Sequence, residues 1–309
     1  MTCSLLKKYI VCAALLPFVF ACSDAGDRVN VTDPANEEAY AKYMAGIGNS
    51  SSGNEGGASN CIDTLEQNEI LDSCNNGDTA CYNIGLTSDK YVSLKCQNDR
   101  WYATGIEFDS LTDERDGQTY KTVKIGEQTW MAENLNYAPD SVRNGGYTRM
   151  SCYDDYSTNC ETYGRLYTWD VVMNDSLCAY GRQCNATNDK KVGLCPDGWF
   201  LPSYKDFTIL YETVGGTANA AYILKSVDGW DYGGNGLDLY GFSLRPAGNW
   251  ANDSNNADFY SLGGMAYLWS STEYNIYNVS GEVFSYEHPE VERDSLRKFD
   301  AFSVRCIKD

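Results

Sequence analysis

Residues 116–137 read DGQTYKTVKIGEQTWMAENLNY, and the interpretation of the whole chain starts from this stretch. Its two halves, 119–125 and 128–134, flank the dipeptide Gly126-Glu127. Glycine at the first central position favours a type II′ turn, which joins adjacent antiparallel strands. Val123 and Ile125 fall on one face of the first strand, because side chains alternate across a strand. The stretch therefore predicts a β-hairpin with an apolar face.

The clearest helix signal begins at Ser203. Asp206 lies three residues further on, as in a capping box with Asp in place of Glu. Apolar side chains then repeat at helical spacing, at Phe207, Leu210, Tyr211 and Val214. Gly215-Gly216 ends the helix. Further helices are predicted over 218–225 and 163–173, whereas the chain beyond Trp230 has the pattern of short strands and long loops. These elements predict an α+β fold.

The amino terminus has the pattern of an export signal. Lys7 and Lys8 precede an uncharged apolar run over 9–20, which is too short to cross a membrane as a helix. Val19-Phe20-Ala21-Cys22 resembles the lipobox of bacterial lipoproteins, which implies cleavage before Cys22 and acylation of its thiol. The alternative is an ordinary secretory signal. Ser23 favours sorting of the lipid-anchored protein to the outer membrane.

The chain divides into four predicted regions. A signal peptide (1–21) and a flexible, Gly- and Ser-rich tether (22–60) come first. Residues 61–110 form either a small module with two disulfides, because so short a segment needs covalent staples, or an extension docked on the main domain. The four cysteines there allow three pairings. Residues 111–309 form the main domain.

Cysteine content and charge restrict the function classes. Ten of the 13 cysteines remain once Cys3, Cys12 and the lipidated Cys22 are set aside, namely Cys61, Cys74, Cys81, Cys96, Cys152, Cys160, Cys178, Cys184, Cys195 and Cys306. An even set in an exported chain predicts disulfides, and a single His with no Cys-x-x-Cys pair makes a zinc site a poor interpretation. The net charge of −19 becomes −21 without Lys7 and Lys8, which excludes nucleic acid as a partner.

Several sequence blocks together resemble the Fibrobacter succinogenes major paralogous domain. They occur in order over about 112–309 and comprise residues 116–137, 163–169 (YGRLYTW), 195–203 (CPDGWFLPS), 224–226 (LKS), 241–248 (GFSLRPAG), 268–272 (LWSST) and 303–309 (SVRCIKD). This domain occurs on exported proteins and lipoproteins and has no established activity. The resemblance implies a C-type-lectin-like layout with two helices, short strands, long loops and disulfides, a group that also includes formylglycine-generating enzymes.

The same resemblance implies a long-range disulfide between Cys195 and Cys306. We expect local disulfides Cys152–Cys160 and Cys178–Cys184 beside it.

No catalytic signature emerges from the sequence. His288 is the only His and lies in an acidic stretch without a nucleophile motif, which favours a surface role. The 43 acidic residues make any proposed glycosidase pair unspecific. Formylglycine-generating oxidases need a reactive cysteine pair near the carboxyl end, where this chain has Cys306 alone. No cofactor or metal ligand set is therefore predicted, and the protein is not expected to be an enzyme.

Calcium and carbohydrate are the remaining ligand hypotheses. Residues 228–238 and 249–258 are rich in the oxygen ligands that Ca²⁺ prefers, although solvated Asn/Asp turns are the more common explanation. Aromatic residues in polar loops could stack on sugar rings or fold inward to the core. The candidate binding residues are Trp230, Tyr232, Trp250, Asn252, Asp253 and Tyr260. Trp130, Trp169, Trp199 and Trp269 lie among apolar residues and are predicted to be core.

Three functions remain open at this point. The first is a non-catalytic surface module that binds plant cell-wall polysaccharide or another extracellular partner. The second is an enzyme, either a carboxylate-dependent hydrolase or a relative of the formylglycine-generating oxidases. The third is a structural component of the cell envelope that contacts other surface proteins.

Overall fold

The computed structural model describes residues 65, 67–84, 91–142, 144–145, 148–184, 190–253 and 256–308. The predicted signal peptide, Cys22, the tether and Cys61 lie outside these residues. Strands account for 37% of the structure and helices for 18%, in several sheets and a half-barrel. The predicted α+β, C-type-lectin-like fold is therefore wrong, and the protein is mostly β. No helix in the described part of the chain is both long and apolar enough to cross a membrane.

Fourteen strands and five α-helices are present in the described residues. The strands are β1 Thr79–Asn83, β2 Tyr91–Gln97, β3 Arg100–Ala103, β4 Glu107–Thr112, β5 Thr119–Ile125, β6 Gln128–Met131, β7 Met150–Ser151, β8 Leu166–Tyr167, β9 Ala247–Asp253, β10 Asn256–Leu262, β11 Met265–Glu273, β12 Asn278–Ser285, β13 Glu292–Arg297 and β14 Ile307–Lys308. The helices are α1 Gln67–Leu71, α2 Ser157–Tyr163, α3 Trp169–Val172, α4 Tyr204–Thr213 and α5 Thr217–Leu224.

The predicted hairpin is the centre of a four-stranded sheet with the order β14-β6-β5-β4. Ile125 pairs with Gln128 across the turn, and Gly126 has φ 60°, as the first central residue of a type II′ turn requires. Val123 and Ile125 are fully buried on the same face. The last strand closes the sheet, because Ile307 pairs with Trp130. This sheet therefore joins the two ends of the domain.

Helices α4 and α5 begin and end close to the predicted positions. Ser203 caps α4 through a complete capping box: its Oγ accepts a hydrogen bond from the Asp206 N–H at 3.3 Å, and the Asp206 Oδ2 accepts one from the Ser203 N–H at 2.7 Å. The glycine pair after Val214 ends the helix, since Gly215 has φ 113° and Gly216 donates to Tyr211 O. Helix α5 starts at Thr217, one residue earlier than predicted.

The predicted helix over 163–173 is wrong for its first half. Helix α2 ends at Tyr163, and Leu166–Tyr167 form strand β8 against β7. Tyr167 also exchanges two backbone hydrogen bonds with Phe302, which lies far away in sequence. These tertiary contacts override the local helical pattern, and only Trp169–Val172 remains helical.

The second half of the domain contains more strand than the sequence predicts. A five-stranded sheet has the order β10-β9-β11-β12-β13. Strands β9 and β10 form a hairpin in the stretch 249–258, where the sequence predicted a polar loop. Trp250 and Phe259 are register partners in this hairpin, and Trp250 is buried against Ala301 and Leu166. This segment is polar in composition, but its apolar side chains alternate along the chain and pack on one face, so it forms strands.

Residues 67–84 and 91–103 pack into the same core as the main domain. They form the three-stranded sheet β1-β2-β3, and their buried Leu94 and Trp101 belong to the cluster that also contains α4 and α5 side chains. The Ala103 N–H donates to Leu239 O at 2.7 Å, and Asn219 Nδ2 donates to Ile84 O. These contacts place the described part of this segment in the same hydrophobic core as α4 and α5. The predicted boundary at residue 111 falls inside β4.

Four disulfides are fully contained in the described residues. Cys195–Cys306, Cys152–Cys160 and Cys178–Cys184 are the pairs expected from the sequence and the resemblance. Cys74–Cys96 links the start of the docked extension to β2. Cys81 is also disulfide-bonded.

Removal of the long-range disulfide by Cys195→Ala and Cys306→Ala is expected to lower the free energy of unfolding by about 4–5 kcal/mol, because the disulfide closes a loop of 111 residues in the unfolded chain. Urea unfolding of the oxidised proteins measures this change. As a matched control, Cys152→Ala with Cys160→Ala opens a loop of 8 residues and should cost about 2–3 kcal/mol. Equal losses in the two variants would contradict the loop-length explanation.

Candidate functional site

A polar cleft of about 530 Å³ is the best candidate for a functional site. Eight separate stretches of the chain line it, from β3 at one end to the residue before Cys306 at the other. The lining residues are Arg100, Gln118, Thr119, Tyr120, Lys121, Ala132, Glu133, Asn134, Asn136, Cys160, Glu161, Thr162, Gly164, Ser226, Val227, Asp228, Asp238, Ser243, Arg245 and Arg305. A volume of this size is typical of small-ligand sites.

Arg305 forms the floor of the cleft. Its side chain is 1% exposed, and its guanidinium donates to Asn134 Oδ1 at 2.9 Å, to Ser243 O at 2.9 Å and to Phe242 O. The guanidinium also lies over the Phe242 ring, with Cζ 4.3 Å from its centre. Burial lowers the Arg305 pKa to about 9, while the charge of Asp238 opposes that shift. The floor is thus a cation that remains protonated at neutral pH.

The Asn134 side chain holds Arg305 in place through hydrogen bonds. Its Nδ2 donates to Tyr163 O at 2.8 Å and to Ser303 Oγ at 3.3 Å, while its Oδ1 accepts from Arg305. Gly164 lets the chain pass directly against it: φ is 72°, and a Cβ there would lie 2.7 Å from the Asn134 Cβ. The close backbone approach therefore fixes the Asn134 amide beneath Arg305.

Asp238 is the second buried charge of the cleft. It is 1% exposed, and its two oxygens accept from the Ser243 N–H and Oγ–H, each at 2.7 Å. Burial raises the pKa of this carboxyl to about 6, although Ser243, Arg100 and Arg305 oppose the shift. Asp238 and Ser243 both have positive φ, at 50° and 51°. Two non-glycine residues in this region store backbone strain next to the cleft, a feature that clusters at functional sites.

One wall presents an acceptor without a partner. Asn136 donates its N–H to the Tyr120 hydroxyl at 3.1 Å, and its carbonyl accepts from Gln118 Nε2 and Arg165 Nε. The side-chain Oδ1 of Asn136 is buried, and no hydrogen-bond partner for it exists among the described residues. A buried acceptor of this kind costs free energy unless a ligand or water satisfies it.

The rim of the cleft carries charges of both signs. Arg245 Nη2 lies 3.3 Å from Asp228 Oδ1, and both side chains are more than a third exposed. Arg100 Nη2 reaches Asp238 Oδ2 at 3.7 Å from the other side. Lys121, Glu133 and Glu161 complete the set, so four basic and four acidic side chains line the cleft. The site therefore offers donors and acceptors in balance.

The structure corrects the predicted positions of two binding tryptophans. Trp230 is 5% exposed and donates its Nε1–H to Ser226 Oγ and Leu244 O at 3.2 and 3.1 Å. Trp250 is 8% exposed, with the Arg149 Cζ 4.7 Å from its ring centre. Of the two alternatives left open for these aromatic residues, both tryptophans fold inward to the core, and polar groups satisfy or cover them. Neither ring face is free to stack on a sugar.

The other predicted binding residues lie in two places. Tyr232 is 90% exposed, and Tyr260 in β10 is 37% exposed. Asn252 and Asp253 belong to β9, and their side chains are outside what the structure describes. The structure does not bring these residues together with the cleft floor.

The predicted core tryptophans and the surface His lie as expected. Trp130, Trp169, Trp199 and Trp269 are all buried, and His288 is 47% exposed beside Glu287 and Glu290. Within the described residues no group of three or more His, Cys, Asp or Glu side chains could hold a metal ion. Cys306 is in a disulfide, so it is not the free thiol that an oxidase-type copper site would need.

Sequence reasoning did not predict the cleft, although Asp228 and Asp238 begin and end one of the two calcium-candidate stretches and most other lining residues belong to recognisable motifs. Gln118, Asn134, Gly164, Ser226, Ser243, Arg245 and Arg305 all fall inside the sequence blocks that carry the family resemblance. These six polar residues and one glycine are spread over five of the blocks. Polar residues in so many family motifs are the signal that could have indicated a shared site. Their convergence depends on the tertiary fold, which spacing along the chain does not reveal.

Comparison with known proteins identifies the family. The family model of the Fibrobacter succinogenes major domain matches residues 123–308, which is more than half of the chain, and the chain belongs to this family. No curated protein matches the chain. No solved structure matches it either.

Replacement Asp238→Asn is expected to change the pH dependence of stability. Because the folded-state pKa is about 6 and the ordinary value is 3.8, Asp238 contributes stability below pH 3.8 that is lost as the pH rises through 6. The free energy of unfolding of the native protein, relative to Asp238→Asn, should therefore fall by at most about 3 kcal/mol between about pH 4 and pH 7.5. Urea unfolding across this range measures the difference. Exposed Asp197→Asn should show no such trend, and a constant offset for Asp238→Asn would contradict the expectation.

Proposed function

We propose that this member of the Fibrobacter succinogenes major domain family is a non-catalytic module that binds a neutral, hydroxyl-rich glycan, such as a plant cell-wall polysaccharide, in the polar cleft. The observation that carries the proposal is the cleft itself. Its floor is rigid and internally hydrogen-bonded, whereas its walls leave polar groups available.

The chemistry of the cleft walls matches a glycan better than other ligand classes. Sugar hydroxyls both donate and accept, and the partly exposed Arg245 and Asp228 side chains on the rim can serve as donor and acceptor for them. Four basic and four acidic side chains balance one another, so the cleft does not select a strongly charged ligand. The net charge of −19 for the whole chain further disfavours polyanions.

A carboxylate-dependent hydrolase is the second candidate. Asp238 favours it, because a buried cleft carboxyl with a pKa near 6 suits general acid–base catalysis. However, Ser243 occupies both of its oxygens, and Arg305 beneath the cleft is fully engaged with the backbone and Asn134. These bonds give Asp238 a positioning role. Release of reducing ends from polysaccharide, lost in Asp238→Asn, would favour the enzyme instead.

The binding prediction uses two cleft variants of the full-length protein. Arg245→Ala and Asp228→Ala should each weaken binding to cello- or xylo-oligosaccharides about tenfold or more, because each removes a charge-assisted hydrogen bond to the glycan. Isothermal titration with the protein in detergent, with Ca²⁺ or with EDTA, measures the affinity and tests the calcium hypothesis at the same time.

Lys308→Ala is the matched control, since it removes an exposed charge on β14 away from the cleft. It should leave the affinity within about twofold of native, a change that ordinary surface substitutions do not exceed. Equal losses in all three variants would contradict the cleft assignment. No retention on any cellulose or xylan fraction, together with stable protein partners in cross-linking, would favour the structural envelope role.

We also propose that Cys22 carries lipid and anchors the module to the cell envelope, with the outer membrane as its destination. The support is the lipobox-like sequence before Cys22 and the paired cysteines, which suit an oxidising compartment. Two or three acyl chains hold a protein firmly on a membrane, whereas a single chain holds it weakly.

Replacement Cys22→Ser should abolish acylation and remove the protein from the outer-membrane fraction, because the uncleaved apolar signal keeps it at the inner membrane. Mass spectrometry of the amino-terminal peptide and fractionation of cells measure the two effects. Replacement of Cys12, which lies inside the predicted signal, by Ser is the control and should leave both unchanged. Recovery of Cys22→Ser in the outer-membrane fraction would contradict the anchor.

A further inference from the structure

Tyr232 is an exposed aromatic residue in a strained backbone conformation. Its side chain is 90% exposed, and its φ and ψ are 50° and 30°, the left-handed region that a bulky residue rarely adopts. Such a conformation costs on the order of 1–3 kcal/mol. An exposed ring buries little apolar surface in return. Tyrosine at this position therefore does not serve the stability of the fold.

A second ring and two carboxylates surround Tyr232. The centres of the Tyr232 and Tyr286 rings are 5.4 Å apart, and the Tyr286 hydroxyl donates to Glu287 Oε1 at 2.8 Å. Asp231 is exposed and packs over Gly263. Rings flanked by carboxylates suit a sugar, because a ring face stacks on the apolar side of a pyranose while carboxylates accept from its hydroxyls.

Backbone contacts hold in place the two segments that carry the tyrosine pair. A Cβ on Gly234 would lie 2.5 Å from Tyr286, so the two backbone segments are in direct contact. The Asp231 N–H donates to Gly263 O at 2.9 Å, and the Tyr286 N–H donates to Gly264 O at 2.9 Å. The backbone that carries the two rings therefore needs little reorganisation on binding.

The pair also adjoins the cleft through two segments. Tyr232 is four residues from Asp228 on the rim, so their Cα atoms are at most about 14 Å apart. Between them, Trp230 donates to Ser226, which lines the cleft. On the other side, the Gly263 N–H donates to Pro246 O, next to Arg245. An oligosaccharide that occupies the cleft can span this distance.

We infer that Tyr232 and Tyr286 form an aromatic subsite that extends the cleft, so that the ligand is an extended neutral glycan chain and not a single sugar. This inference rests on the proposed function and adds the length of the ligand to it. Tyr232 then contributes to ligand binding and lowers the stability of the fold. A variant that removes its side chain should therefore be more stable and bind more weakly.

The test compares Tyr232→Gly, Tyr232→Phe and the native full-length protein. Tyr232→Gly removes the ring and relieves the strain, so the Tm should rise by about 2–4 °C while binding to a hexasaccharide weakens about fivefold to twentyfold. Tyr232→Phe should bind within about twofold of native, because stacking is retained. In a series from disaccharide to hexasaccharide, the gain in affinity with length should disappear in Tyr232→Gly.

Tyr274→Gly is the matched control, since Tyr274 is 51% exposed and has no positive φ. It should lower the Tm slightly and leave the affinity unchanged. Unchanged hexasaccharide binding by Tyr232→Gly, with weakened binding by Arg245→Ala, overturns the subsite and leaves the proposed function standing. If the native protein binds none of the oligosaccharides, both are overturned.

Discussion

The structure depends on the burial of one cation, Arg305. A guanidinium with 1% exposure is tolerable only if its donors are used and an opposite charge lies near, and Asn134, Phe242, Ser243 and Asp238 meet these conditions. These partners come from the segment after the hairpin and from the loop after α5. Arg305, next to the last strand, thereby holds these two segments together with its own. The floor of the cleft is formed where the three meet.

The same constraint separates the two kinds of polar group in the cleft. Asn134, Asp238 and Arg305 use their hydrogen bonds on one another, on the backbone and on the Ser243 and Ser303 hydroxyls, and they form a rigid base. Asp228 and Arg245 lie on the rim instead, and both of their side chains are more than a third exposed. If a ligand binds to the rim, the hydrogen-bonded floor already holds the rim residues in place. Little reorganisation is then needed, which lowers the free-energy cost of binding.

The sequence could predict features that depend on neighbouring residues. It could not predict features that depend on contacts between distant segments. The type II′ hairpin and the capping box of α4 depend on adjacent residues, so their prediction succeeds. The mostly β fold could not be predicted in this way, because the β9–β10 hairpin lies in a stretch of polar composition and only the burial of Trp250 makes it a strand. The burial of Trp230 depends on Leu244, and the cleft depends on eight stretches, so neither is apparent from spacing.

The Cys195–Cys306 disulfide has a consequence for proteolysis of the chain. It closes a covalent ring that contains α4, α5, the loop with Asp238 and the five-stranded sheet. A single cut in any loop of that ring opens it without producing a separate fragment, and Arg305 stays joined to the segments that it holds together. Surface loops such as the one around Tyr232 can therefore be nicked while the two walls of the cleft remain one molecule.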